Sequence, residues 1–186
     1  ESFPDTHPKS RFPRWQRRDQ FTADKSEDRS GRILSTIVTA RPAQQARTTS
    51  VPVRAGLGSL AALQALVGVW ALLAPAGFYS SFPLPGHPWV SLLPPYNEHL
   101  TRDVGELSLA LTVLLVAAAV TGQWLLSVVA IIATAVYAVP HAVYHALHLA
   151  GFPTGDAVAQ TVGIALQLVL TAVLAWLLWR DRARRS

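Results

Sequence analysis

Three histidines, His141, His145 and His148, stand at i, i+4 and i+7 near the end of an apolar segment. Imidazole carries protons near neutral pH and is a borderline metal ligand, so this spacing invites either chemistry. On a helix four residues advance about 400°, so His141 and His145 differ by about 40° in direction, and His145 and His148 by about 60°. All three therefore share one stripe, flanked by Tyr137 and Tyr144. At about 1.5 Å per residue, His141 and His148 lie about 10 Å apart, too far for one ion on a straight helix. A neighbouring pair can hold an ion, zinc foremost, if a third ligand comes from another element.

A second polar cluster offers that ligand. Glu98, Arg102 and Glu106 follow one another at i,i+4, and His99 and Asp103 form an adjacent i,i+4 pair. If the segments bearing the two clusters form a helical hairpin, His99 or Asp103 approaches His141 and His145. Asp156 and Gln160 enter from a further segment, with Gln167 on the same face. Several readings stay open at this point. The histidines serve as interfacial side chains, as part of a polar network with Glu98, Arg102, Glu106, Asp156 and Gln160, as a divalent metal site, or as paired haem ligands. Gln64, Gln160 and Gln167 read as interhelical hydrogen bonders.

Composition narrows the chemistry. The 186 residues contain no cysteine and no methionine, which excludes disulfides, thiolate sites, cysteine nucleophiles and thioether copper ligation. The net charge of +5 does not imply nucleic-acid binding. Eleven of the 16 Lys and Arg residues lie in residues 1–54 among six acids, and four more, Arg180, Arg182, Arg184 and Arg185, follow the last apolar stretch. Cations flanking apolar spans are topology signals.

Four apolar stretches dominate residues 55–179, each near the ~20 residues that cross ~30 Å of hydrocarbon. Span 1 covers about 57–74 and closes at Pro75 and Gly77. A loop from Phe78 to Val90 follows, in which prolines forbid a long helix and Phe78, Tyr79, Phe82 and Trp89 suit the headgroup zone. Pro94-Pro95 begins the helix that becomes span 2, about 104–120. Thr121-Gly122-Gln123 reverses the chain into span 3, about 124–139, which Pro140 kinks before the helix continues to His148. Asp156 caps span 4, about 157–179. Gln64 and Gly68 share a face of span 1 that another helix can approach closely.

Residues 1–54 read as a disordered basic tail, since nothing in the first fifty can bury enough apolar surface to offset chain entropy. The first thirty residues also lack the apolar core of a signal peptide, so span 1 is expected to act as an uncleaved membrane signal. Two origins are open for the tail. It is a cytoplasmic extension, or a reading frame extended upstream of Val51 or Val53, where a valine codon can start translation. The basic segment 180–186 and Arg54 place both termini in the cytoplasm by the positive-inside rule, and so place the polar clusters at the outer face of the cell membrane.

The segment Tyr96-Asn-Glu-His-Leu-Thr-Arg-Asp-Val-Gly105 resembles a motif of small four-span actinobacterial membrane proteins, as do the proline-rich aromatic loop from Phe78 to Val90 and the Pro-His-x-x-x-His-x-x-His stretch from Pro140 to His148. The resemblance covers residues 55–179 and is weakly similar to DoxX-like four-helix proteins. Glu106 departs from it, a small or apolar residue being expected there. It implies the fold and the place of the site, without a reaction.

The resulting expectation is an all-α four-helix transmembrane bundle. Its His/acid cluster is structural or binds an ion or small ligand, and is non-enzymatic. The rival is a metal- or quinone-linked membrane oxidoreductase subunit. A transporter is disfavoured by four spans without mid-membrane breaks. The expected partners are the bilayer and a second copy or another membrane protein.

Overall fold

A computed structural model describes residues 48–93 and 95–183. The expectations for residues 1–47, for Pro94 and for 184–186 lie outside the described residues. Helix α1 spans Val51–Leu73, with Pro52 in its first turn, where a missing N–H costs nothing. It therefore begins six residues before the expected span and includes Arg54. Pro75 ends it and opens the short helix α2, Pro75–Ser81. A two-stranded hairpin follows, β1 Pro83–Leu84 and β2 His87–Pro88, with Leu84 opposite His87. Pro85-Gly86 makes its turn, and Gly86 has φ +88°, the value a type II turn requires at that position. The expected loop thus holds a helical turn and a hairpin.

Helix α3 spans Glu98–Thr121. Its start is set by Asn97, whose side chain accepts a hydrogen bond from Leu100 N at 3.2 Å, rather than by the prolines before it. Gly122, at φ +63°, closes it in the left-handed conformation. Helix α4, Trp124–Leu147, runs through Pro140. Helix α5, Thr154–Ala183, starts two residues before Asp156, which lies in its first turn instead of capping it.

The four long helices have 23, 24, 24 and 30 residues, and each is apolar enough to cross a membrane. They pack in the ring order α1, α3, α4, α5, so every helix has two neighbours. Leu57, Leu60, Leu115, Ile131 and Leu174 meet in the core. Leu66, Val113, Val136, Leu166 and Val169 point outward and exposed. Apolar side chains on both the inner and outer faces, with the backbone groups paired inside long helices and arginines meeting end carbonyls of α1 and α3, are what a bilayer selects. The expected all-α four-helix transmembrane bundle is observed.

Two ends can be distinguished. The terminal end carries Thr49, the Gly122 reversal and Asp181. The polar end carries the hairpin loop, the start of α3 and the histidines. Helices α1 and α3 approach most closely, because Gly68 and Gly105 face each other. A Cβ on Gly105 would stand 2.6 Å from Leu72 N and 3.0 Å from Gly68 O.

Candidate functional site

The polar end holds four separate groupings of the chemistry-bearing residues. The first runs along α4 as a ladder of rings. Tyr137 stacks on His141 with centroids 5.2 Å apart, and His141 meets His145 edge-on at 4.4 Å. Tyr144 contacts His145 at 5.8 Å and stacks on His148 at 4.0 Å. His148 Nδ1 donates to Tyr144 O at 2.7 Å, which leaves its Nε2 as the acceptor of the neutral ring.

Helix α5 faces this ladder. Gln160, only 3% exposed, approaches His145 closely. Gln160 Oε1 and His145 Nδ1 are nevertheless both buried without a hydrogen-bond partner, and so is Gln167 Nε2. Gln167 lies two turns further along α5, about 10 Å deeper. The hydroxyls in the bundle interior behave differently. Thr134, Ser127 and Thr171 each donate to the carbonyl four residues back in their own helix, at 2.8, 3.0 and 2.8 Å. Those hydroxyls are satisfied locally, whereas His145 Nδ1 on α4 and Gln160 Oε1 and Gln167 Nε2 on α5 are not; Thr49 Oγ1 and Trp124 Nε1 at the terminal end are unmet as well.

The second grouping was not legible as a site. Asp156 Oδ1 accepts from His87 Nδ1 at 2.7 Å and from Trp89 Nε1 at 3.1 Å. The carboxylate expected to cap its helix and join Gln160 instead latches the hairpin loop over the start of α5. Gly151 also lies beneath the loop, its Cβ position 3.7 Å from Leu92 O. The Pro85-Gly86 turn is the one sequence signal that sends the chain back toward α5.

The third grouping is Arg102. Its Nε and Nη2 donate to Glu98 Oε1 at 2.9 and 2.8 Å, and its Nη1 donates to Leu72 O at the end of α1. Glu106 is exposed and forms no ion pair or hydrogen bond with Arg102. The fourth is His99 with Asp103, Nδ1 to Oδ1 3.2 Å, their side chains 83% and 39% exposed.

His99 and Asp103 do not meet His141 and His145. Among the described residues, no three His, Asp or Glu side chains gather closely enough to hold a metal ion. The cause is the pairing of the helices: the polar end of α3 is drawn onto α1 through Gly105 and Arg102, while the histidines of α4 lie along α5.

The terminal end has its own cation. Arg54 Nε donates to Ala119 O at 2.8 Å and Nη2 to Val120 O at 3.0 Å, capping the last carbonyls of α3. Asp181 Oδ2 accepts from Ser50 N at 3.1 Å, and Arg182 lies 5.7 Å above the Trp124 ring. Comparison with protein families, curated proteins and solved structures finds no match to this chain.

Proposed function

We propose that this chain is a multi-pass membrane protein that binds a small hydrogen-bonding molecule in the seam between α4 and α5. The observation that supports this most is Gln160, almost wholly buried, with an unpartnered acceptor beside the unpartnered His145 Nδ1. A buried polar atom left unmet costs about 1–3 kcal/mol, and α4 and α5 carry three such atoms toward the polar end, with Gln167 two turns along α5 from Gln160. A ligand carrying both donors and acceptors would satisfy Gln160 Oε1, His145 Nδ1 and Gln167 Nε2 together. A quinol head, with hydroxyls that donate and accept, belongs to that class. Arg54, Arg180 and Arg182 lie at the terminal end, which by the positive-inside rule supports an orientation with the histidine-bearing end outside the cell.

The test is native mass spectrometry of the full chain extracted in mild neutral detergent. The wild type should carry a small molecule that Gln160→Leu and Gln167→Leu lose. If the wild type is ligand-free and Gln160→Leu melts as high as the wild type, the amides are structural and the reading fails.

A divalent ion is the second reading, favoured by the 4.4 Å approach of His141 and His145. Two imidazoles would hold it, with solvent completing the sphere. Binding needs neutral rings, so acidification that protonates them should release the ion. Zinc should raise the melting temperature of the wild type but not of the His141→Ala/His145→Ala protein. Equal response of the two proteins would sink it.

A further inference from the structure

Arg54 and Arg102 are reciprocal. Each stands in the first turns of one helix of the antiparallel α1–α3 pair, and each donates to the terminal carbonyls of the other helix. Their charges are treated differently. Arg102 has Glu98 four residues earlier, and the carboxylate meets its guanidinium at 2.8 Å. The residue four before Arg54 is Ser50, whose backbone N–H is itself held by Asp181. Among the described residues Arg54 has no carboxylate partner, and its Nη1 makes no hydrogen bond. Carbonyl dipoles fix the guanidinium in place without neutralising it.

Space for the missing anion lies alongside. A cavity of ≈ 320 Å³ opens beside Arg54, and its other walls are Val51, Ala55 and Ala119. One cation and three small apolar surfaces, at the end of two membrane spans, match a molecule with an anionic head and an apolar tail. A second unmet polar group lies at the same place. Thr49, 7% exposed, has a buried Oγ1 with no partner. Gly122, having no side chain, leaves open the space between this hydroxyl and Arg54: a Cβ there would stand 3.7 Å from Thr49 Oγ1 and 3.6 Å from Arg54 Nε.

We propose that this groove is a phospholipid site. The phosphate of a lipid with net negative charge accepts from Arg54 Nη1, the guanidinium nitrogen that the two carbonyls leave free, and supplies the neutralising charge that Glu98 supplies to Arg102; an acyl chain lies against Val51, Ala55 and Ala119. The two carbonyl bonds hold the guanidinium ready with Nη1 free, so a charge-assisted hydrogen bond from Nη1 to a phosphate oxygen costs little side-chain entropy. The lipid then completes the cap on α3 at the terminal end, as Glu98 and Arg102 complete the cap on α1 at the polar end.

The experiment titrates the full-length protein in neutral detergent with dioleoylphosphatidylglycerol, with dioleoylphosphatidylcholine and with inorganic phosphate. Bound lipid is read by native mass spectrometry and the melting temperature is followed in parallel. Phosphatidylglycerol should bind roughly tenfold more tightly than phosphatidylcholine. Val51→Glu supplies a built-in carboxylate three residues before Arg54, and Ala55→Leu fills the groove without touching the guanidinium. Each should lower phosphatidylglycerol affinity roughly tenfold, whereas Arg182→Gln should not. Without lipid, Val51→Glu should melt no lower than the wild type, since an acid suits the first turn of a helix, and this separates a lost site from a lost fold. Equal binding of the two lipids, or unchanged affinity in both Val51→Glu and Ala55→Leu, would overturn the proposal. Inorganic phosphate matching the stabilisation by phosphatidylglycerol would overturn the lipid as its source.

Discussion

Gly105→Ala should be among the most damaging single-methyl additions to this protein. The added Cβ would stand 2.6 Å from Leu72 N, about 0.8 Å short of ordinary contact, and 3.0 Å from both Gly68 O and Leu72 Cα. These are backbone atoms of α1, so no side chain can swing aside and the helices must part. Overpacking of this kind costs about 1–3 kcal/mol. Opening the seam also forfeits a quarter to a half of each dispersion contact along it. Against this, alanine returns about 1 kcal/mol of helix preference over glycine. The balance is a loss of roughly 2 kcal/mol. Gly58 and Gly163 supply the control, because a Cβ at either meets nothing within 4 Å. Gly58→Ala and Gly163→Ala should be neutral or slightly stabilising. The assay is reversible unfolding of detergent-solubilised protein by titration with a denaturing detergent, followed by circular dichroism. A Gly105→Ala protein as stable as Gly58→Ala would show that the α1–α3 seam is not set by backbone contact.

Two further expectations rest on the polar end. Asp156→Ala should free the hairpin loop, because His87 and Trp89 both lose their acceptor. Amide exchange at Trp89, bonded to Phe82 O at 2.8 Å, should rise at least about tenfold, and unchanged exchange would mean that the loop is held by its aromatic contacts alone. Arg102→Ala should cost about 1–2 kcal/mol: the ion pair is partly exposed, at 40% and 57%, and contributes under ~1, while the bond to Leu72 O adds a charged hydrogen bond. Arg182→Ala, removing only a contact on the Trp124 ring, should change the unfolding midpoint far less, and equal effects would place Arg102 in water.

The helices themselves were legible because their signals are local. Four apolar runs and the left-handed Gly122 specify the spans and the reversal from nearest-neighbour chemistry. What local pattern does not encode is which neighbour each helix leans on. The tight turn at Gly122 invites the view that α3 and α4 stay together to their far ends, so that His99 and Asp103 would meet His141 and His145. A two-residue turn constrains only the end where it sits. At the other end α3 is captured by the glycine contact and the Leu72 carbonyl of α1, and α4 by α5. Gly68 was readable as a close-approach position, but its counterpart Gly105 lies inside a motif dominated by charges. Arg54 was legible only as a topology signal, since a cap on a helix 65 residues away leaves no trace in spacing. The latch on Asp156 was hidden for the same reason: His87 and Trp89 come from a loop 67–69 residues earlier.

The bundle's two helix pairs are built differently. Between α1 and α3 the contact is backbone against backbone, and an arginine caps each helix at its end. A seam that tolerates no added methyl at Gly105 is a scaffold. Between α4 and α5 the residues at the polar end are imidazole, phenol and carboxamide, long side chains that hold helices apart and bring polar atoms with them. Burying such groups costs stability that leucine in the same places would not. At the same end the hairpin loop is tied to the start of α5 by the Asp156 carboxylate, and loosening that tie does not touch the scaffold pair. If the seam is a binding site, Asp156→Ala should speed ligand exchange there while leaving the unfolding of α1 and α3 nearly unchanged. A matched loss of helix stability in Asp156→Ala would make the loop part of the scaffold and remove the argument for a gated site.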